Sequence, residues 1–120
     1  MTVRGIRGAT MLNNNDADEL NDAVIELLQE IFNKNNIDNK DLISIFFTST
    51  KDLNCAFPAA AARKIGLGDV PLICSQEIDV PNSPAKVVRI LMHVNTEKDR
   101  DQIKHIYLRG AEVLRQDLAQ

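Results

Sequence analysis

Between Lys86 and Asn95 the chain alternates without a break. Val88, Ile90, Met92 and Val94 fall on one side of an extended strand, and Val87, Arg89, Leu91 and His93 fall on the other. Period two is the mark of a strand with one face in a core. The apolar row needs a layer packed over it, so the remaining segments must supply a sheet and something to cover it.

The rest of the chain divides accordingly. Val3–Leu12 is a first strand, and Asn13-Asn14-Asn15 is turn material. Asp16 is placed as an N-cap, with Glu19 three residues on as in a capping box. Leu20, Val24, Leu27, Leu28 and Ile31 then recur at helical spacing, which predicts an amphipathic helix to about Lys34, ended by Asn35-Asn36. Leu42–Thr48 is an almost continuous apolar run, expected as a strand covered on both faces. Pro58 suits the first position of a second helix, which Ala59–Ala62 favours and Gly66 and Gly68 stop. Val70–Cys74 is a third strand, 80–84 a proline-containing loop, Lys86–Asn95 the fourth strand and Ile106–Leu114 the last, with one helical turn between these two. The order β-α-β-α-β-β-β predicts an α+β fold: a mixed five-stranded sheet with two main helices on one side. No repeat or linker interrupts it, and 120 residues make a single domain, 1–120.

Charge and composition remove several functions. A net charge of −3 gives no general attraction to nucleic acid or anionic membranes, and four Phe, one Tyr and no Trp make no stacking platform. Cys55 and Cys74, with only His93 and His105 beside them, have no metal-ligand spacing, so no metal is expected. No signal peptide or membrane-spanning run is recognised, and a reduced cytoplasmic protein is expected.

A few residues stand out from this background. Arg4 and Arg7 alternate with Gly5 and Gly8 in the first strand. Either the strand is an edge with solvated arginines, or something approaches the backbone closely while a guanidinium reaches for an anion. Arg89 has apolar neighbours on its own face. It is either the one cation of a half-exposed strand or a guanidinium in a partly dry cleft, able to hold a carboxylate bidentately. Tyr107 is a core tyrosine with its hydroxyl at the rim or a donor to a ligand. Arg63 suits a helix C-terminus through the dipole, Glu77 suits a surface, and Cys74 suits a small buried hydrophobe. In a regular strand Cys74 and Glu77 face opposite ways. No nucleophile–base pair, metal set or phosphate loop is present, so any catalysis works by binding and electrostatics.

In order and spacing these segments resemble the monofunctional AroH-class chorismate mutases, the trimeric mixed α/β class. The resemblance rests on Val3-Arg4-Gly5-Ile6-Arg7-Gly8-Ala9-Thr10, Thr50-x-Asp52-Leu53-x-x-Ala56-Phe57-Pro58-Ala59-x-Ala61-x-Arg63 and Cys74-x-Gln76-Glu77-x-Asp79-Val80. It continues through Arg89 to Gln102-Ile103-x-His105-x-Tyr107-Leu108 and Val113-Leu114-Arg115-x-Asp117-Leu118. It implies conversion of chorismate to prephenate in aromatic amino acid biosynthesis, without cofactor or metal. It implies a homotrimeric pseudo-α/β barrel with active sites between subunits.

By the same resemblance Arg7, Glu77 and Arg89 are catalytic, and Arg7, Tyr107 and Arg63 hold carboxylates. Phe57, Ala59, Leu72, Ile73, Cys74, Leu114 and Arg115 line the cleft. Residues 115–120 correspond to a mobile tail that helps cover the site. The chain departs from the family pattern at Ala60, where a lysine is common, at Pro81-Asn82-Ser83, which replaces a glycine-rich loop, and at Ile73, which replaces a polar residue. Two other functions fit the same residues: hydrolysis of a carboxylate-bearing imine by a similar trimer, and non-catalytic sensing of a small dicarboxylate.

Overall fold

The protein is described by a computed structural model over residues 1–115. Strand β1 (Thr2–Met11) is followed by helix α1 (Ala17–Asn35), β2 (Leu42–Ser49), α2 (Pro58–Lys64), β3 (Leu72–Gln76), β4 (Val87–Thr96) and β5 (Ile106–Leu108). Single 3₁₀ turns occupy Asn39–Asp41, Arg100–Gln102 and Ala111–Leu114. The five strands form one mixed sheet in the order β3-β2-β4-β1-β5. The antiparallel β1–β4 and β4–β2 pairs make its centre, and the parallel β2–β3 and β1–β5 pairs make its flanks.

The core forms where two patterns meet. The apolar stripe of α1 (Leu20, Val24, Leu27, Leu28 and Ile31) is fully buried against the inner row of β4 (Val88, Ile90, Met92 and Val94) together with Ile6, Ile45 and Phe47. Asp16 caps α1 by accepting the Glu19 N–H at 2.9 Å, and the Glu19 carboxylate accepts from the N–H groups of Asn13 and Asn14. At the other end Asn36 takes the left-handed conformation and donates its N–H to the Phe32 carbonyl. Among the described residues no helix is long and apolar enough to cross a membrane.

Gly8 explains the glycine in the first strand. A Cβ there would lie 2.9 Å from Ile31 Cδ1 and 3.3 Å from Leu27 Cδ1, so the group that approaches the backbone is α1 itself. β1 is not an edge strand: it pairs along its length with β4 and over Gly8–Thr10 with β5.

Three other expectations need correction. The third strand begins at Leu72, because Val70 closes a turn onto Leu67. The last strand ends at Leu108, since Arg109 and Gly110 both take positive φ (54° and 90°) and turn the chain into the Ala111–Leu114 helix. Finally, among the described residues of a single chain β2 is covered on one face only. Ile45 and Phe47 are buried, whereas Phe46 is 47% exposed on a face that also shows Val3, Ile73 and Leu91. All but Arg115 of the expected tail over 115–120 lies outside the described residues.

Candidate active site

The open face of the sheet brings the singled-out polar residues together through register alone. Arg89 pairs with Ala9 of β1 on one side and Thr48 of β2 on the other. Ala9 in turn pairs with Tyr107 of β5, and Thr48 with Ser75 of β3. One row therefore crosses all five strands, with small side chains flanking the guanidinium. Arg7 lies one step along β1 on the same face, opposite Leu91. The result is a cavity of about 240 Å³ lined by Arg7, Thr48, Glu77, Arg89, Leu91 and Tyr107, among others.

Glu77 enters this cavity because β3 stops just before it. Its N–H donates to the Ser49 carbonyl at 2.9 Å, continuing the parallel ladder by one residue. Ile73 pairs with Phe46 and Ser75 with Thr48, so alternation carries Glu77 to the open face as well. Thr48 Oγ1 donates to Glu77 Oε2 at 2.7 Å, and the same oxygen lies 3.4 Å from Arg89 Nε. That contact is an ion pair without hydrogen-bond alignment, since Arg89 Nε is buried and makes no hydrogen bond. An unpartnered buried N–H typically costs about 1–3 kcal/mol. The ion pair is partly exposed, so its own attraction is screened and modest. The Glu77 oxygen beside that N–H is instead held by the Thr48 hydroxyl.

Tyr107 is packed into a small cluster with Ala9 and Ala111, backed by Met11 and Leu114. Its ring is buried while it also lines the cavity. Leu114 reaches the margin of the site, lining a smaller recess with Glu77, Arg89 and Val87. Arg7 donates its backbone N–H to His105 Nδ1 at 2.9 Å.

The remaining expected residues lie elsewhere in the single chain. Cys74 packs on the core side, opposite in sense to Glu77, and with Phe57 it lines a separate, larger cavity of about 470 Å³. That cavity contains neither Arg7 nor Arg89, so its size does not make it the anion site. Ala59 is buried in the main core and Leu72 packs partly against it. Phe57 and Ile73 are exposed at 69% and 55%. Arg63 is exposed near the C-terminal end of α2. Thus one chain gathers Arg7, Glu77, Arg89, Tyr107 and Leu114, and holds Phe57, Arg63 and Cys74 away from them. Thr48 and His105 were not singled out from the sequence as functional. Thr48 shares a period-two row with Ser44 and Phe46, and that was its only signal. The described residues contain no cluster of His, Cys, Asp and Glu able to hold a metal ion.

Comparison with known proteins agrees along nearly the whole chain. The family profile for chorismate mutase type I matches residues 3–118. The chain is 43% identical to a chorismate mutase AroH of Thermus thermophilus, over 97% of this chain and 96% of the relative. It is 38% identical to a chorismate mutase AroH of Bacillus subtilis, over 99% and 94% of the two chains. A solved chorismate mutase from Clostridium thermocellum superposes with a TM-score of 0.90 at 52% identity, covering 92% of this chain and 98% of that one.

Proposed function

The chain belongs to the chorismate mutase type I family, and from that premise we propose how its residues carry out the conversion of chorismate to prephenate. In this rearrangement the ether C–O bond breaks as a C–C bond forms, within one cyclic transition state. No atom enters or leaves, no proton is transferred, and no cofactor takes part. The protein must hold a flexible dianion in its compact conformer and stabilise the charge that grows on the ether oxygen.

Arg7, Tyr107 and Arg63 hold the two carboxylates, with Phe57 and Leu114 as apolar walls. Orientation of this kind contributes several kcal/mol. Arg89 donates to the ether oxygen, where negative charge accumulates. Glu77, fixed by Thr48, accepts from the substrate hydroxyl and faces the ring, which becomes relatively positive. The observation that carries this reading is the convergence of Arg89, ion-paired with Glu77, on one cavity with Arg7 and Tyr107.

The site is completed between copies. Three chains assemble as a pseudo-α/β barrel, and Phe57, Ala59, Arg63, Leu72, Ile73 and Cys74 serve the cleft of a neighbouring copy, with Arg115 closing over it. Two observations support this. Phe57 and Cys74 line a cavity apart from the one shared by Arg7, Glu77, Arg89 and Tyr107. The open sheet face also carries Val3, Phe46, Ile73 and Leu91, an apolar patch of the kind that marks an interface. A cytoplasmic location fits Cys55 and Cys74, which are both free thiols.

The test is turnover. Purified protein is mixed with chorismate, without metal or cofactor, and the loss of its ultraviolet absorbance is followed. Acid conversion of the product to phenylpyruvate identifies prephenate. Saturable loss is expected, and a rate no higher than the spontaneous one in folded protein overturns the proposal.

A further inference from the structure

We propose that His105 is a positioning residue: as a neutral hydrogen-bond acceptor it fixes the backbone of Arg7, so productive substrate binding is lost when its imidazole takes a proton. The inference rests on the mutase reading for its catalytic readout only.

The geometry begins with the shortness of β5. Its three residues pair with Gly8, Ala9 and Thr10, and the parallel ladder runs out at Arg7. There the Arg7 N–H finds a side-chain acceptor, His105 Nδ1, at 2.9 Å. A ring nitrogen accepts only while its lone pair is free, so this bond requires the neutral ring with its proton on Nε2.

The ring stands on a fixed base. Lys104 donates its N–H to Asn35 Oδ1 at 2.8 Å, and Asn35 Nδ2 donates to the Lys104 carbonyl at 2.9 Å and the Ile31 carbonyl at 3.0 Å. Asn35 is buried at the end of α1, and its carbonyl accepts from Lys98 Nζ. The backbone just before His105 is thereby clamped to the helix, and the imidazole passes that constraint to Arg7.

Among the described residues, the charged groups that face the ring are two cations, Arg7 from β1 and Arg115 after the last 3₁₀ turn. Burial first, and then these two guanidinium groups, hold the His105 pKa below its ordinary value. Protonation turns the acceptor into a donor facing another donor and adds a third positive charge. The Arg7 backbone then loses its hydrogen bond on the β5 side and is held by its pairing with β4 alone.

The test combines a pH profile with a measurement that needs no substrate. kcat/KM for chorismate is measured from about pH 5 to about pH 8 for wild type, His105→Asn and His105→Leu. Nitrogen NMR of the imidazoles follows in the free protein. An Asn Oδ1 stands near the place of Nδ1, accepts, and does not titrate in this range.

Wild type is expected to lose about tenfold in kcat/KM per pH unit below the His105 midpoint, mostly through KM. His105→Asn should recover most of the activity near neutrality and lack that limb. His105→Leu should fall about ten- to a hundredfold at neutral pH. NMR should show the Nε2-protonated tautomer with a midpoint below that of an ordinary imidazole. The chain has two histidines, so the Asn variant assigns the signals.

An acid limb that persists in His105→Asn, or an Nδ1-protonated ring, overturns the inference. If His105→Leu does not fold, the Asn profile and the wild-type spectra decide. Absence of turnover in wild type overturns the mutase reading instead, and the tautomer and midpoint still decide the role of His105.

Discussion

At the residue scale, the group on which the proposed mechanism turns is Arg89. If it meets the charge growing on the ether oxygen, Arg89→Ala should lose about 3–4 kcal/mol of transition-state stabilisation, roughly a hundred- to a thousandfold in kcat. KM should change far less, and neutral Arg89→Gln should recover little; steady-state kinetics with near-normal turnover in Arg89→Ala refutes the role. A second residue tests the fold rather than the chemistry. Gly8→Ala pushes a methyl into Ile31 and Leu27, and overpacking of this kind costs about 1–3 kcal/mol, visible as a lower melting temperature. An unchanged melting curve would show that α1 yields freely. Arg89 was legible in the sequence because a cation on an otherwise apolar strand face breaks a pattern. Thr48 was not, because Leu42–Thr48 is apolar at nearly every position, and a row of every second residue is invisible within it. His105 was not, because its role depends on a ladder ending at Arg7, which only the pairing of β1 with β5 defines.

At the scale of elements, the long ones were legible and the short ones were not. α1 and β4 each carry a full period of burial, so sequence and structure agree on which residues face inward. β5 failed because Ile106–Leu114 is apolar enough for a strand, while the left-handed pair Arg109 and Gly110 leaves little trace beyond one glycine. The loop before β4 has a device of its own. Asp52 accepts the Lys86 N–H at 3.0 Å, where Lys86 sits at a φ of 57°. Burial pushes the Asp52 carboxyl up, but hydrogen bonds from Thr50 and from backbone N–H groups outweigh it and hold the pKa below the ordinary carboxylate value. A lowered carboxylate pKa means that the unfolded chain binds the proton first. This stabilisation is therefore complete above the ordinary value and is lost as pH falls through the folded one. Thermal melts at neutral and acid pH should show a smaller acid loss in Asp52→Asn than in wild type. Equal losses would remove Asp52 from the account.

At the scale of the whole molecule, one chain places Phe57 and Cys74 on a different cavity from Arg7 and Arg89, and the proposed trimer is what would bring them together. Sedimentation should report a trimer, and Phe46→Glu, which puts a charge on the open sheet face, should dissociate it and abolish turnover together. Complementation separates assembly from chemistry. Arg89→Ala and Arg63→Ala proteins, each nearly inactive, should regain part of the activity when unfolded together and refolded as a mixture. If the clefts are shared between copies as proposed, some in mixed trimers would draw an intact Arg89 from one copy and an intact Arg63 from the next. A mixture no more active than its components would place both residues in one copy's site. If three copies close over the uncovered apolar face as proposed, the activity takes a kinetic order of its own. Below the concentration at which such trimers persist, the rate should fall faster than the amount of chain, toward its third power. A cell that halves its supply of this polypeptide in that range would then lose far more than half the flux, and the sheet face would act as a threshold on gene dosage.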